Sequence, residues 1–168
     1  MILTNDEILK EIEKGNIQID PFDKECVGPG SIDLHLDNKF RVFKENNGVY
    51  EVNEESNYED VTKLIEKREI TLRPKETILG ITKEKIKLSS GICGWLEGRS
   101  RFARLGLMVH ISSSFVQPGI ENKQVLEISN MSNIPLKLQA GTKICQFIFE
   151  KTKGKAKYKG KFKNQIKP

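Results

Sequence analysis

The chain has 168 residues, of which 37% are hydrophobic and 30% are charged. This balance is that of one globular domain large enough to bury its own core, and it excludes a disordered chain. No apolar stretch approaches the ~20 residues that cross a bilayer, and the first seven residues lack the basic region of a signal peptide. We therefore expect a single domain over residues 1–168 that is cytoplasmic and binds no membrane.

The formal net charge of +5 is distributed unevenly along the chain. Residues 151–168 contain eight lysines and no acidic residue, so the rest of the chain is slightly acidic. A slightly acidic body argues against a broad nucleic-acid-binding surface, and no nucleic-acid partner is expected. Two interpretations of this basic C-terminal tail stay open: a solvated, mobile end, or a clasp that holds a polyphosphate.

One helix is predicted at the start of the chain. Thr4 and Glu7 have the spacing of a capping box, and Leu3 and Ile8 occupy the two positions of a hydrophobic staple. Gly15 then predicts the end of this helix.

Beyond the helix, short apolar or alternating runs are separated by turn residues. Such runs predict strands, here over residues 16–19, 32–36, 40–43, 49–52, 70–72, 77–81, 92–96, 107–111, 125–128, 136–138 and 144–149. The breaks between them include Asn46-Asn47-Gly48, Arg73-Pro74, Gln117-Pro118-Gly119 and Ala140-Gly141. Residues 60–67 are predicted to form a second short helix. Many short strands at near-regular intervals indicate a mainly all-β chain folded as a barrel or jelly roll.

The residues for metal-centred chemistry do not occur in the required patterns. Cys26, Cys93 and Cys145 lie far apart without a CxxC pair, which predicts buried free thiols. A zinc deaminase needs an HxE…PCxxC arrangement, whereas the two histidines, His35 and His110, lie near no cysteine pair. No GxSxG elbow, Walker motif or Rossmann glycine pattern is present either. The sequence therefore predicts neither zinc nor a nucleotide cofactor.

The densest group of phosphate-binding residue types follows Gly98. Three guanidiniums and a hydroxyl fall within six residues, at Arg99, Ser100, Arg101 and Arg104. The planar fork of arginine suits phosphate oxygens, and a serine beside it can donate a further hydrogen bond. A solvated basic turn is the alternative interpretation of this run.

Glu127 is the candidate for proton transfer, because it lies in a strand-like run between Leu126 and Ile128. If its side chain faces a dry pocket, desolvation should raise its pKa and allow it to carry protons. The alternative is an exposed strand glutamate without a chemical role.

The stretch 98–149 resembles the dCTP deaminase branch of the dCTP deaminase–dUTPase superfamily. It reads GRSRFARLGLMVHISSSFVQPGIENKQVLEISNMSNIPLKLQAGTKICQFIF. The N-terminal Met1-Ile2-Leu3, the GSIDL run at residues 30–34 and the tail over residues 158–165 agree with the same family. The resemblance covers nearly the whole chain. It implies a distorted β jelly roll or barrel of the dUTPase-like type with an N-terminal α-helix, assembled as a homotrimer with active sites between subunits.

The resemblance also assigns roles to individual residues. Glu127 matches the catalytic glutamate, which activates a water to attack C4 of cytosine and then protonates the departing amine. The residues that match the triphosphate-binding segment are Arg99, Ser100, Arg101 and Arg104, of which Ser100 and Arg104 also lie close to the reacting base. The remaining substrate-binding matches are Ser113 through its backbone carbonyl, Val125 and Leu126 through their backbone edge, and the tail residues Tyr158, Lys161 and Gln165. In this family the substrate carries Mg²⁺ on its triphosphate, so the metal would belong to the nucleotide and not to the protein.

Two positions depart from the family pattern. Arg101 replaces the usual serine, and Gln117 stands where the family usually has an aspartate. A glutamine can bind the 3′-hydroxyl of the sugar but cannot serve as a base, which weakens the dUTP diphosphatase interpretation. Three functions stay open: a deaminase that converts dCTP to dUTP and ammonia, a dUTP diphosphatase, and a non-catalytic nucleotide-binding paralogue. The resemblance further makes dTTP a candidate inhibitor, and Ser31 and Asp33 are expected to be structural.

Overall fold

Most of the chain forms antiparallel strands whose residues alternate between a core face and an outer face, with the period of two that predicts them. The computed structural model describes residues 1–45, 48–110 and 112–168. The helices are α1 (Asn5–Glu13) and the short α2 (Tyr58–Val61) and α3 (Ser100–Ala103), with a 3₁₀ turn at Lys24–Cys26. The strands are β1 (Ile17–Asp20), β2 (Ile32–His35), β3 (Lys39–Phe43), β4 (Thr62–Glu66), β5 (Glu69–Leu72), β6 (Thr77–Leu88), β7 (Ile92–Gly98), β8 (Leu107–Val109), β9 (Phe115–Val116), β10 (Glu121–Asn130), β11 (Leu136–Gln139) and β12 (Lys143–Lys151). Within those described ranges, no helix has both the length and the apolar character that a membrane span requires.

Two sheets enclose one hydrophobic core. The larger has the order β4-β3-β6-β10-β8, with β1 added to β6, and the smaller has the order β2-β12-β7-β9. A separate antiparallel pair joins β5 to β11. Phe40 and Ile128 enter the core from the larger sheet, and Leu34 and Phe147 enter it from the smaller. The predicted fold class, a mainly β jelly-roll-like domain with an N-terminal helix, is confirmed.

Helix α1 forms where predicted, but its first turn is built differently from the prediction. Thr4 is the N-cap residue, yet its side chain makes no capping hydrogen bond. The Glu7 carboxylate instead accepts a hydrogen bond from Lys10 at 2.7 Å, so the predicted capping box is wrong. The two staple residues are both buried, as expected. Gly15 follows the helix with a φ of 72°, the left-handed conformation that favours glycine at a helix end.

Two element predictions are wrong. The segment 60–67 was expected to be helical, but only its first two residues are, at the end of α2. Strand β4 occupies most of the rest because it pairs along β3 from Lys39–Glu66 to Phe43–Thr62. Long-range pairing therefore outweighs local helix propensity here. The predicted strand at 49–52 does not form, since Val49 and Val52 are almost fully exposed and have no strand beside them.

Three further segments refine the sequence prediction. Strand β6 extends to Leu88, well beyond its predicted end, and the two-residue strand β9 was not predicted. Strand β8 ends at Val109, and the last residue of the predicted run, Ile111, lies outside the described residues. The first two residues of the predicted Asn46-Asn47-Gly48 turn lie outside them too. The cysteine prediction is confirmed, because all three thiols are free and buried.

Candidate active site

A cavity of about 370 Å³ lies beside strand β10. Three segments form its wall: β10 itself, the chain from residue 113 to 120, and the C-terminal tail. Six of the residues predicted for the site line it, namely Ser113, Gln117, Val125, Glu127, Tyr158 and Gln165. The structure thus brings the proposed base, Glu127, together with Gln117, which departs from the family pattern, and with the tail residues Tyr158 and Gln165.

His110 holds the carboxylate of Glu127. The His110 backbone N–H donates to the Glu127 carbonyl at 2.7 Å, and its Nδ1 lies 3.1 Å from Glu127 Oε2. Neither of these two side-chain atoms has a well-aligned hydrogen bond to any other group in the part of the chain that the structure describes. The His110 ring is almost enclosed, whereas 33% of the Glu127 side chain is exposed. One side of the carboxylate therefore faces the histidine and the rest faces the cavity.

Hydrogen-bond chemistry limits the protonation states of this pair. His110 Nε2 lies 2.8 Å from the Ser113 carbonyl oxygen, which can only accept, so Nε2 carries a proton. Nδ1 then faces a carboxylate oxygen. Favourable contact requires one proton between them, either on the imidazole as an ion pair or on the carboxyl group.

The environment favours the ion pair. The hydrogen bond to His110 lowers the pKa of Glu127 against the opposing effect of burial, and the charge of His110 lowers it further. Burial by itself would lower the pKa of His110, but the hydrogen bond and charge of Glu127, with the Ser113 carbonyl, raise it overall. The prediction of a raised Glu127 pKa is therefore wrong. The effect of His110 on this pKa outweighs that of desolvation. The sequence does not show that the two residues are neighbours.

Sequence reasoning missed His110 as a site residue, because it weighed the histidines only as zinc ligands. His110 adopts a φ of 57°, a left-handed conformation that is uncommon outside glycine and concentrates at functional sites. This conformation turns the chain after β8 and brings the imidazole under Glu127. The one sequence signal was the position of this histidine two residues before the serine run 112–114.

The neighbouring backbone contacts clarify three predicted roles. The Ser113 carbonyl, expected near the attacked carbon, also accepts the hydrogen bond from His110. Leu126 is fully buried and does not line the cavity, so of the two predicted backbone contacts only Val125 borders it. Strand β8 pairs with β10 from Ile128 to Asn130 and leaves the β10 edge at Val125 and Leu126 uncovered by β8.

The tail runs along β10 and closes one side of the cavity. The Tyr158 N–H donates to the Pro118 carbonyl at 2.9 Å, and the Lys123 N–H donates to the Gln165 carbonyl at 2.9 Å. Farther on, the buried Arg41 donates through Nε to the Pro168 carbonyl at 2.6 Å. Lys161 does not line the cavity; its Nζ lies 5.9 Å from the centre of the Phe162 ring.

The arginine segment lies outside the Glu127 cavity. Arg99, Ser100 and Arg101 line a separate cavity of about 320 Å³, together with Asp33. Ser100 also lines a third cavity, which it shares with His110. Within one chain, therefore, the predicted phosphate-binding residues and the predicted catalytic residue do not meet in one pocket.

The members of the arginine segment differ in how their side chains are used. Arg99 forms an ion pair with Asp33 at 2.9 Å and donates to the Lys143 carbonyl at 2.9 Å. Ser100, Arg101 and Arg104 are exposed, and among the described residues their side chains make no hydrogen bond or ion pair. Ser31 bonds to Gln146 at 2.9 Å. Ser31 and Asp33 thus both contact side chains of the smaller sheet or the arginine segment, and their structural role stays a prediction.

The fold and the cavity define a protein of dUTPase-like architecture. The structure is similar to that of a mutant dUTPase of Staphylococcus bacteriophage 80alpha with dUpNHpp, with a TM-score of 0.51 and 12% identity over 86% of this chain and 88% of that chain. It is also similar to 2′-deoxycytidine 5′-triphosphate deaminase from Agrobacterium tumefaciens, with a TM-score of 0.68, 18% identity and 88% of this chain covered. This chain spans 47% of the length of that protein.

The chain belongs to the dCTP deaminase-like family, which matches residues 2–152. A relative from Mycolicibacterium vanbaalenii is 41% identical over 150 residues, which cover 87% of this chain and 78% of that protein. It is named dCTP deaminase, dUMP-forming. The predicted family is confirmed. The name of the relative specifies dUMP as product, whereas the sequence analysis expected dUTP.

Proposed function

We propose that this protein deaminates dCTP hydrolytically, with Glu127 as the base. The observation that carries the proposal is the Glu127 carboxylate at the cavity wall, held beside His110 at 3.1 Å. A carboxylate of lowered pKa is ionised at neutral pH and can accept a proton from water. The water oxygen then bonds to C4 of cytosine. Glu127 returns the proton to the amino nitrogen, the C4–N bond breaks, and the products are ammonia and the uracil nucleotide.

In this proposal His110 positions the base. Its backbone N–H donates to the Glu127 carbonyl, and its Nε2 bonds to the Ser113 carbonyl, which orients the ring with Nδ1 toward the carboxylate. The imidazolium favours the carboxylate over the carboxylic acid, which keeps the base ready before substrate binds. Ser113 contributes its carbonyl and Gln117 its side-chain amide on the same wall, where they can orient the base and the sugar.

The phosphate groups would be bound by a second copy of the chain in a homotrimer. The exposed and unpaired Arg101 and Arg104 lie outside the Glu127 cavity of their own chain, so one copy leaves the site incomplete. Exposed apolar side chains supply a surface for assembly, with Leu105 58%, Met131 62% and Ile134 61% accessible. Closed cyclic symmetry would then place each arginine segment at a neighbour's cavity. Light scattering tests this directly, because a monomer at micromolar concentration contradicts it.

The nucleotide would arrive with Mg²⁺ on its triphosphate, so that the metal enters with the substrate. The proposed ligands of the phosphates are guanidinium and hydroxyl groups of Ser100, Arg101 and Arg104, which suit phosphate oxygens. dTTP has the same triphosphate and a related base, and is proposed as an inhibitor that competes for this site.

A second candidate function is continued hydrolysis to dUMP. The name of the Mycolicibacterium vanbaalenii relative favours it. Gln117 argues against it, because an amide cannot take a proton from the water that attacks a phosphate. The primary proposal therefore ends at dUTP and ammonia.

Product analysis on the full chain distinguishes these functions. With dCTP and Mg²⁺, the proposal expects equal amounts of ammonia and dUTP, and no pyrophosphate. Formation of dUMP and pyrophosphate from dCTP would contradict this proposal and indicate deamination followed by hydrolysis of the triphosphate. Cleavage of dUTP with no ammonia from dCTP would indicate a dUTP diphosphatase, and tight binding of either nucleotide without turnover would indicate a non-catalytic paralogue.

A further inference from the structure

Two carboxamide side chains that the sequence analysis did not consider line the Glu127 cavity. Asn122 and Gln124 lie on β10, are 7% and 6% exposed, and border the cavity beside Phe162 of the tail. Gln124 Nε2 donates to Asn122 Oδ1 at 2.6 Å, and Asn122 Nδ2 donates to the Phe162 carbonyl at 2.7 Å. The first bond lies within β10, and the second joins the tail to the cavity wall.

The tail fixes the orientation of both amides. A backbone carbonyl can only accept, so the Phe162 oxygen requires the nitrogen of Asn122 to point toward it. Asn122 Oδ1 then faces Gln124, and an oxygen there requires the nitrogen of Gln124 as donor. The Phe162 carbonyl therefore orients the Asn122 amide, and the Asn122 amide in turn orients the Gln124 amide.

The result is an unused acceptor at the cavity. Gln124 Oε1 receives no hydrogen bond from any residue that the structure describes, and it is not among the enclosed polar atoms that lack a partner. One N–H of Nε2 bonds to Asn122, which fixes the amide and leaves Oε1 as its free acceptor. Because Oε1 is accessible and accepts no hydrogen bond from the described residues, a donor group on a ligand can bind it.

We infer that Gln124 selects an aminopyrimidine over an oxopyrimidine, with Asn122 and the tail as the groups that orient it. This inference rests on the proposed function. Cytosine carries an amino group, a donor, at the position where uracil carries a carbonyl oxygen. An acceptor in the wall binds the first and repels the second. Sites built to hydrogen-bond one group discriminate strongly against an analogue that lacks it.

The experiment measures binding of dCTP and dUTP by calorimetry to the full chain carrying Glu127→Gln, which prevents turnover. The added substitution Gln124→Leu should weaken dCTP binding about tenfold, equivalent to one hydrogen bond. Binding of dUTP should be unchanged or tighter, so that the preference between the two nucleotides collapses. Gln18→Leu, an exposed glutamine on β1, is the matched control and should change neither affinity. Thermal unfolding of each variant verifies that the fold is intact.

Two substitutions at Asn122 separate orientation from tail contact. Asn122→Asp keeps an acceptor for Gln124 but cannot donate to Phe162, so the nucleotide preference should persist while hydrogen exchange of residues 158–165 becomes faster. Asn122→Ala removes both bonds, so the preference should fall as well.

Each outcome decides between the two proposals. If Gln124→Leu weakens dCTP and dUTP equally, or neither, the selective role of Gln124 is overturned and the nucleotide site stands. If the Glu127→Gln protein binds neither nucleotide while remaining folded, the proposed function fails and this inference fails with it.

Discussion

The cavity beside Glu127 and the cavity beside Arg99 treat their polar groups in opposite ways. Around Arg99, the guanidinium is shared between Asp33 and the Lys143 carbonyl, both at 2.9 Å. Around Glu127, the carboxylate and the His110 ring make one imperfect contact of 3.1 Å. The Arg99 guanidinium is therefore satisfied by the protein, whereas the Glu127 carboxylate keeps hydrogen-bonding capacity for a group that enters the cavity.

This difference indicates which predicted residues belong to chemistry. A group already satisfied by the protein gains little from a ligand, whereas an unsatisfied buried group is costly until it finds a partner. By this criterion the Glu127 carboxylate still has hydrogen-bonding capacity for a ligand, whereas the Arg99 guanidinium is engaged by Asp33 and the Lys143 carbonyl. Arg101 and Arg104 are exposed to solvent and make no hydrogen bond or ion pair among the described residues. Their guanidinium groups are therefore accessible to a ligand, but they are not buried groups that lack a partner.

The largest expected effect is at Glu127. Glu127→Gln keeps the size of the side chain but removes the proton acceptor, so dCTP should bind while kcat for ammonia release falls by at least ~10²-fold, the lower range for general acid–base catalysis. Steady-state kinetics and calorimetry measure the two quantities. Unchanged deamination would mean that the cavity is prepared for binding alone.

Removal of the tail tests the wall that closes the Glu127 cavity. Deletion of residues 155–168 retains strand β12 and the 3.0 Å contact of Lys151 with Glu11, so the fold should survive. KM for the triphosphate should rise tenfold or more, because each charge-assisted hydrogen bond lost costs about 1.5–3 kcal/mol. The control, Lys155→Gln with Lys157→Gln, lowers charge but leaves the backbone contacts in place. If the full and truncated chains have the same KM, the tail does not bind the triphosphate and is a solvated end.

The two kinds of arginine should separate stability from binding. Arg104→Leu should raise KM about tenfold, the loss of one charge-assisted bond, without changing the thermal midpoint. Arg99→Leu leaves Asp33 unpaired and should lower the free energy of unfolding by about 1–3 kcal/mol. Denaturant unfolding and kinetics on both variants give the comparison. Should Arg104→Leu lose stability and Arg99→Leu lose only affinity, the assignment of the two side chains is reversed.

The smallest expected effect is a shift of the acid limb of the kcat–pH profile. The pKa of Glu127 is lowered from 4.5, first by the hydrogen bond to His110, so the acid limb of the kcat profile should lie below pH 4.5. His110→Asn suits the left-handed backbone and removes the cation. The largest cause that lowers the pKa of Glu127 is then lost while burial still raises it, so this pKa rises and the acid limb moves to higher pH. Coincident profiles for the two proteins would exclude His110 as the residue that sets this pKa.

The sequence by itself determined the elements that follow from local pattern. Every strand except β4 and β9, the helix ended by Gly15 and the buried free cysteines were predicted, because side-chain period and turn chemistry are local properties. The resemblance of residues 98–149 supplied Glu127 and the arginine segment as candidates.

Only the tertiary structure decided what these groups face. It paired residues 62–66 with β3 where a helix was expected, because partners distant in sequence outweigh local propensity. It also placed His110 beside Glu127, which reversed the direction of the pKa shift, and joined Phe162, Asn122 and Gln124 into one hydrogen-bonded chain. Electrostatic and hydrogen-bond energies depend on distances of about 3 Å, and such distances between separate strands and the tail are set by folding.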